Sequence, residues 1–307
     1  MPIPAVPRPV LESETPVRMT ESGPSNPSRI RIGAVNYLNS KPLIEGLGED
    51  LDSVAPGSEL FLDYPSRLAD DLEAERLDVA LVPSIECLRD PGYEVVTDAC
   101  VATHGPVLSV KLYTREPISE ITSLALDEGS RTSAALARVL LAEKFGLHPS
   151  LEPLPLGCSV DASSADAILL IGDRAMHTLR ETFIDTWDLG EIWSEWTGLP
   201  FVFALWATRP GTPLGRVEEA LVSARDRGIQ RLDLIADREA PELGIPATDA
   251  AGYLHNNLHF HLGHAERHGL ELFHRLAVAQ GLASESTDVM FRDHNVVSVS
   301  PPLLHRM

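Results

Sequence analysis

The stretch that decides the fold is Ile30-Arg-Ile-Gly-Ala-Val35, followed directly by Asn36-Tyr-Leu-Asn-Ser-Lys-Pro-Leu43. The first part is a short apolar run, which is typical of a strand inside a sheet. In the second part, asparagine and serine favour the positions just before a helix, and proline fits its first turn. We therefore expect a strand that ends in small polar side chains, which either cap the next helix or line a site for an oxygen-rich ligand.

The same alternation of short apolar runs and helical patterns continues along the chain. Helices are predicted at Ser66–Arg76, Ser130–Phe145 and Asp173–Glu181, and from Leu214 onward the pattern indicates helices alone. Strands that alternate with helices predict an α/β fold with parallel sheets covered on both faces. The predicted strands after the first are Leu60–Tyr64, Val79–Val82, Val107–Tyr113, Ser123–Leu126, Ala167–Ile171 and Phe201–Ala207.

Two apolar segments that begin with proline, Pro106–Tyr113 and Pro200–Ala207, have the character of crossings between two lobes. A cleft between such lobes is a common place for a ligand site. The predicted division is a disordered proline-rich extension at 1–28, a discontinuous first lobe at 29–107 and 209–290, a second lobe at 108–208, and a C-terminal tail at 291–307.

The charge balance restricts the possible partners. The chain has 45 acidic and 25 basic residues and a net charge of −20, so it repels phosphate backbones and we expect no nucleic acid partner. An anionic substrate would need local donors to offset this field. No apolar run is long enough to cross a membrane, and Met1–Val10 lacks the apolar core of a secretory signal, so a cytoplasmic protein is predicted.

Motifs of several enzyme classes are missing from the sequence. There is no glycine-rich nucleotide motif, no H-E-x-x-H and no G-x-S-x-G. Cys87, Cys100 and Cys158 form no C-x-x-C pair, so they are expected to be free thiols in a reducing compartment. We therefore predict neither a cofactor nor a disulfide framework.

Five histidines between residues 255 and 268 raise the question of a metal site. On a helical wheel, His261, His264 and His268 share a face opposite a stripe that begins at Leu254 and continues through Leu258, Leu262 and Ala265. Without an interleaved carboxylate, such histidines are more often a polar helix face than a set of ligands. No metal ligands are predicted here.

Three further segments place polar groups beside predicted strands. The turn Ser130-Arg-Thr-Ser133 offers hydroxyls and N–H groups at a helix start, where an anion is favoured, and Arg131 could bind a carboxylate in a bidentate manner. Ser109 lies in an apolar run and needs a partner, either backbone or ligand. Gly172-Asp173 ends a strand, so Asp173 either caps a helix or lies in a site at the carboxyl end of the sheet.

Taken together, these segments resemble the chorismate dehydratases of the futalosine route to menaquinone. The resemblance runs from about residue 30 to about residue 290. It rests on five motifs in order, namely Arg31–Leu43, Gly105–Ser109, Ser130–Ser133, Leu170–Asp173 and Asp188–Trp206, of which the last is the longest.

The resemblance implies a periplasmic-binding-protein-like fold of type II, with two lobes around a cleft. It also implies removal of water from chorismate, a dianion, to give 3-[(1-carboxyvinyl)oxy]benzoate without a cofactor, in a monomer or homodimer. By this resemblance Asn39 and Ser109 are the catalytic candidates. The substrate-binding candidates are Asn36, Ser40, Ser130, Arg131, Thr132, Ser133, Gly172 and Asp173.

The general base and the exact activity stay open at this point. No histidine or glutamate stands out as the base, so either the substrate's own side-chain carboxylate or Asp173 takes the proton. A solute-binding protein of the same fold would normally carry an export signal. A sister enzyme of the same pathway fits Asn36–Leu43 less well, and a regulator's effector domain would need a DNA-binding motif.

Overall fold

The computed structural model describes residues 29–286 and 289–292, so the predicted extension at 1–28 and nearly all of the predicted tail lie outside the described residues. The strands are β1 Arg31–Val35, β2 Glu59–Asp63, β3 Val79–Pro83, β4 Glu94–Thr103, β5 Val110–Thr114, β6 Ser123–Asp127, β7 Ser150–Leu154, β8 Ala167–Ile171, β9 Asp185–Asp188, β10 Phe201–Thr208, β11 His259–His261 and β12 Met290–Phe291. The α-helices are α1 Leu47–Val54, α2 Pro65–Glu73, α3 Ser84–Arg89, α4 Arg131–Val139, α5 Leu189–Thr197, α6 Val217–Ile229, α7 Leu232–Leu243, α8 Ala247–Asn256 and α9 His264–Ala279.

These strands form two sheets, as expected for two lobes. The first sheet has the order β11-β4-β10-β3-β1-β2, with β12 beside β4, and the second has the order β7-β6-β8-β5-β9. Both sheets are mixed, because β10 runs antiparallel to β3 and β4, and β5 runs antiparallel to β8 and β9. The prediction of purely parallel sheets was therefore wrong, since a chain that enters and leaves the second lobe reverses its direction.

The chain crosses between the sheets twice. The first crossing follows β4 at residues 104–109 and leads into β5, close to the predicted place. The return comes through α5, because β9 belongs to the second sheet whereas β10 pairs with β3 and β4 of the first. Residues 201–208, which the sequence analysis placed in the second lobe, thus form a strand of the first sheet.

Two predicted helical regions differ from the structure. The segment Asp173–Glu181 forms only a 3₁₀ turn at Asp173–Met176, and the chain becomes extended at His177. In the region predicted to be helix alone, Leu258, Phe260 and Leu262 are buried while His259 and His261 are exposed, as in a strand. Leucines four residues apart fit both a helical period and an alternating one, which explains the error.

An aromatic cluster joins the return crossing to the C-terminal helix. Trp193 of α5, Phe201 of β10 and Phe273 of α9 are fully buried, and their ring centroids lie 4.9–6.1 Å apart. The indole N–H of Trp193 also donates to the carbonyl of Pro200 at 3.1 Å. The tryptophan-rich motif at 188–206 therefore holds the return crossing in place.

Within the described residues, no helix is both long and apolar enough to cross a membrane.

Candidate active site

A cavity of about 470 Å³, including its opening to solvent, lies between the two sheets where several strands end. One wall is apolar and the other carries hydroxyls. The lining residues are Val35, Tyr37, Asn39, Pro65, Pro83, Val101, Val107, Ser109, Val110, Ser130, Ser133, Ile171, Gly172, Phe203 and Ala204.

The backbone around Ser109 is fixed by an unusual turn in the first crossing. Leu108 has a φ of 59°, in the left-handed region, and the N–H of Ser109 donates to the carbonyl of Val107 at 2.7 Å. A non-glycine residue in this conformation costs about 1–3 kcal/mol and persists only where its surroundings enforce it. The carbonyl of Ser109 accepts from the N–H of Gly172 at 2.9 Å, which fixes the other side.

Hydrogen bonds to Asp188 stabilise this turn. Its carboxylate accepts from the N–H groups of Val107 at 2.9 Å and Leu108 at 2.6 Å. The same carboxylate caps α5 by accepting from the N–H groups of Gly190 and Glu191. Four N–H donors on one buried carboxylate bind the outgoing crossing to the returning one, so Asp188 is a positioning residue for Ser109.

The hydroxyl of Ser109 belongs to a buried polar chain that reaches across the cavity. Tyr253 of α8, which is 1% exposed, donates its hydroxyl hydrogen to Ser109 Oγ at 2.7 Å. The side chain of Asn39 lies near enough to the Tyr253 hydroxyl to lower its pKa, in the direction expected of a hydrogen-bond donor. Burial raises the pKa of Tyr253, which keeps it a donor, although Ser109 and Asn39 oppose the shift. Because Tyr253 donates to Ser109, the hydroxyl hydrogen of Ser109 is free to point at a ligand.

The turn before α4 presents its hydroxyls to the cavity. Ser130 caps the helix by accepting from the N–H of Ser133 at 3.3 Å, and the two hydroxyls lie 3.0 Å apart. A second helix, α2, also begins at the cavity with Pro65. The positive ends of two helix dipoles therefore point at the same space, which favours an anion there.

Other predicted binding residues lie away from this space. The hydroxyl of Ser40 donates to backbone carbonyls in its own turn, and Asn36 is exposed and accepts from Lys41 at 3.0 Å. Thr132 accepts from the N–H of Ile85 at 3.1 Å. None of these predicted residues lines the cavity, because local backbone groups or neighbouring side chains already satisfy their polar atoms.

Arg131 also differs from the expectation that it faces the substrate. Its guanidinium forms ion pairs with Asp70 of α2 and, at 3.3 Å, with Glu86 of α3. Both acids lie on helices that pack against the first sheet, whereas Arg131 is the first residue of α4, which contacts β8 of the second sheet. We call these three residues the lobe seam, since they join the two lobes outside the cavity.

Gly172 shapes the cavity by letting a tyrosine approach. Its φ is 71°, and a Cβ built on it would lie 2.6 Å from the ring of Tyr37. Tyr37 is 8% exposed, and its hydroxyl has no hydrogen-bond partner among the described residues. A buried hydroxyl of this kind normally finds a partner in a ligand or an ordered water. The residue Tyr37 thus lines the cavity, whereas its hydroxyl is buried out of reach of solvent.

Asp173 is next to the cavity but is occupied by the backbone. Its two carboxylate oxygens lie 3.1 and 3.3 Å from the N–H of Leu38, on the opposite lobe. Burial raises the pKa of Asp173 to about 6, although the Leu38 N–H and the charge of Lys41 act in the opposite direction. Asp173 therefore contributes a second contact between the lobes and is not among the residues that line the cavity.

A wider open groove lies outside the cavity, on the other side of the α4 turn. Its space is about 1150 Å³, and its charged lining includes Asp70, Asp127, Glu128 and Glu152 against Arg67 and Arg131. Four carboxylates against two guanidiniums repel an anion, and Arg131 is already paired. The enclosed cavity is the better candidate for a small anionic ligand.

Two functional groups of the site were not found from the sequence. Tyr253 lies 144 residues from Ser109 and has the pattern of an ordinary helix-core aromatic. Asp188 was noticed only as the start of a motif, although an aspartate before a helix signals a cap. Tyr253 could be identified only from the folded structure, whereas the helix cap at Asp188 could have been predicted from the sequence.

Comparison with known proteins places the chain in a family. A family model described as menaquinone biosynthesis matches residues 30–279. A chorismate dehydratase of Thermus thermophilus is 32% identical over 260 residues, which are 79% of this chain and 93% of that relative.

Solved structures support the fold. A protein of Archaeoglobus fulgidus superposes with a TM-score of 0.62 at 15% identity, over 84% of this chain and all of that one. A periplasmic aliphatic sulphonate-binding protein of Escherichia coli superposes with a TM-score of 0.57 at 14% identity, over 85% of this chain and 95% of that one. The chain belongs to the menaquinone biosynthesis family and has a two-lobed, periplasmic-binding-protein-like α/β fold.

Proposed function

We propose that this protein is a chorismate dehydratase, a carbon–oxygen lyase that converts chorismate to 3-[(1-carboxyvinyl)oxy]benzoate and water. The observation that carries the proposal is the buried hydrogen bond from Tyr253 to Ser109, which leaves the Ser109 hydroxyl hydrogen free at a cavity that Asn39 also lines. The dehydratase relative is similar over nearly its whole length, which supports the same chemistry.

The reaction removes the ring hydroxyl and the hydrogen on the neighbouring ring carbon. The carbon–hydrogen electron pair becomes a ring double bond, the ring becomes aromatic, and the carbon–oxygen bond breaks. The departing hydroxide needs a proton or a strong hydrogen-bond donor, and the removed hydrogen needs a base. The protein therefore has to hold the ring, assist the leaving oxygen and keep water out.

Ser109 is suited to assist the leaving oxygen. Its oxygen accepts from Tyr253 at 2.7 Å, so its own hydrogen points to the substrate hydroxyl. Hydrogen bonds in such a chain polarise one another, which strengthens the donor at its end. Asn39 and Tyr253 thus act on the leaving group through Ser109, while Asn39 also lines the cavity and contacts the ring.

The base in this proposal is the substrate's own side-chain carboxylate. The residues that line the cavity include no aspartate, glutamate, histidine or lysine within the described part of the chain. Asp173 is the protein alternative, but its carboxylate faces the N–H of Leu38. A base tethered to the substrate is already oriented, and orientation alone supplies about 7–11 kcal/mol in favourable cases.

The two carboxylates of the substrate are held by neutral groups in this proposal. The hydroxyls of Ser130 and Ser133, the start of α4 and the start of α2 all face the cavity. Each helix start stabilises a nearby anion by about 0.3–1 kcal/mol, and more when partly buried.

The rest of the biological setting follows from the same proposal. Menaquinone biosynthesis from chorismate is central metabolism, so a cytoplasmic enzyme acting on a small dianion is proposed, as a monomer or homodimer. The net charge of −20 fits a protein without a nucleic acid partner.

The direct test is incubation of the purified protein with chorismate. We expect a benzoate-type absorbance to develop and the product mass to be lower by one water. As controls, the Asn39→Ala variant loses turnover, whereas Ser194→Ala, a serine of α5 that lies outside the cavity, keeps it. Saturable binding of chorismate without turnover would overturn the proposal in favour of a solute-binding protein.

A further inference from the structure

Three side chains from different segments meet beside the first crossing. His104 directly follows β4, His259 begins β11, and Glu266 lies in the first turn of α9. Their ligand atoms all lie within 4.8 Å of one another. The two imidazole rings are 4.3 Å apart between centroids and are tilted by 53°. This cluster differs from the helical face of histidines considered from the sequence, since His261 lies in a strand and bonds Asp98 and Arg225.

The carboxylate of this cluster is anchored from behind. Glu266 is 3% exposed, and its Oε2 accepts from the N–H of Gly263 at 2.9 Å, which satisfies a free backbone donor at the start of α9. Its Oε1 contacts His104 Nε2. Both imidazoles are exposed. A fixed carboxylate with two accessible imidazoles has the form of a metal site whose ligand is oriented by outer hydrogen bonds.

We propose that His104, His259 and Glu266 form a binding site for a divalent transition metal, with zinc the best match. Two imidazole nitrogens and one carboxylate oxygen, with water in the fourth position, are a common tetrahedral zinc set. Zinc ligands at about 2.0–2.1 Å lie about 3.4 Å from one another, so small side-chain rotations bring these three atoms into place.

The position of the site predicts a structural role. His104 directly precedes Gly105, where the chain leaves the first sheet for Ser109 and the second lobe. The other two ligands belong to β11, a strand of the first sheet, and to α9, which packs against β10 of that sheet. A metal here fastens the base of the crossing to the first lobe and leaves the cavity, which none of these three residues lines, unobstructed.

The test is zinc binding to the full chain after removal of any purification tag and treatment with chelator. Calorimetry with zinc chloride at pH 7.5 is expected to show one equivalent bound and, in parallel, a rise in the melting temperature. His259→Ala should weaken zinc binding at least tenfold, because it removes one ligand. This histidine takes no part in the bond between Gly263 and Glu266 or in the contact of His104 with Glu266, so both stay intact in the variant. Glu266→Gln should weaken zinc binding to a similar extent, because it removes the carboxylate ligand. The glutamine can still accept from the N–H of Gly263, which preserves the helix start.

His268→Ala is the matched control, because His268 is an exposed histidine of the same helix outside the cluster. It should bind zinc as the unmodified protein does. The proposal is overturned if no stoichiometric zinc binds, if His268→Ala weakens binding as much as His259→Ala, or if His259→Ala binds zinc unchanged.

Discussion

The cavity and the lobe seam are only one turn of helix apart, yet they use opposite chemistry. In the cavity, Ser130 and Ser133 present hydroxyls and no charged side chain among the described lining residues faces the ligand. In the seam, Arg131 on the same turn is paired with Asp70 and Glu86. The charged side chains of this acidic protein thus hold the lobes together, and neutral groups face the substrate.

This difference explains how an acidic protein can accept a dianion. A free guanidinium that bound the substrate carboxylate as tightly as the transition state would give no gain in the chemical step. Hydroxyls and helix ends are weaker, and in the proposed mechanism the Ser109 hydroxyl, supported by Tyr253, donates to the leaving oxygen where charge develops. The following predictions test this division, beginning with the cavity.

Ser109→Ala should have the largest effect. It removes the donor proposed for the leaving hydroxyl, and loss of such a donor costs about 10²–10³ in kcat. Steady-state kinetics with chorismate should show this fall, with KM changed little. Ser194→Ala removes a hydroxyl that has no partner among the described residues and should leave kcat unchanged. A fall of less than about threefold in Ser109→Ala would contradict the role of Ser109.

Tyr253→Phe should have the next largest effect. It leaves the ring in place but removes the donor to Ser109 Oγ, so kcat should fall about tenfold while KM stays within about twofold. The free energy of unfolding should fall by about 1 kcal/mol. Tyr93→Phe, a buried tyrosine of the first lobe, is the matched control.

The double variant distinguishes positioning from general damage. If Tyr253 acts through Ser109, then adding Tyr253→Phe to Ser109→Ala should cost no further kcat. A full additional tenfold loss would mean that the tyrosine acts independently of the serine.

Residues of the candidate site that have local sequence signals were predicted, whereas contacts between segments far apart in the chain were not. Ser109, Asn39 and Ser130 were predicted as site residues from local signals at strand ends and helix starts, and all three line the cavity. The ion pairs of Arg131 were not predicted, because sequence shows where a charge lies along the chain but not which acid of another lobe it meets. Tyr253 could not be found, since its partner is 144 residues away.

Asp173→Asn tests the second contact between the lobes and the identity of the base. Because the folded pKa of Asp173 is raised to about 6, its ionisation destabilises the fold as the pH rises from about 4 to about 6. The variant should therefore be more stable by about 1–3 kcal/mol at pH 8, and this gain should shrink as the pH falls below 6. Urea unfolding at both pH values measures it.

The same variant should keep kcat within about threefold, because the asparagine still accepts from the N–H of Leu38 and the base belongs to the substrate. A loss of about 10² or more, which is the typical contribution of a general base, would assign that role to Asp173 instead.

Arg131→Gln should have the smallest effect, and its size decides between the seam and a substrate contact. If Arg131 only joins the lobes, kcat/KM should fall about twofold to fivefold, because partly exposed ion pairs contribute about 0.2–1 kcal/mol. A direct bond to a substrate carboxylate would instead make the loss about 10- to 150-fold. Asp70→Asn sharpens the test: it should mimic Arg131→Gln if the seam matters, whereas it would free the guanidinium and strengthen substrate binding if Arg131 contacted the ligand.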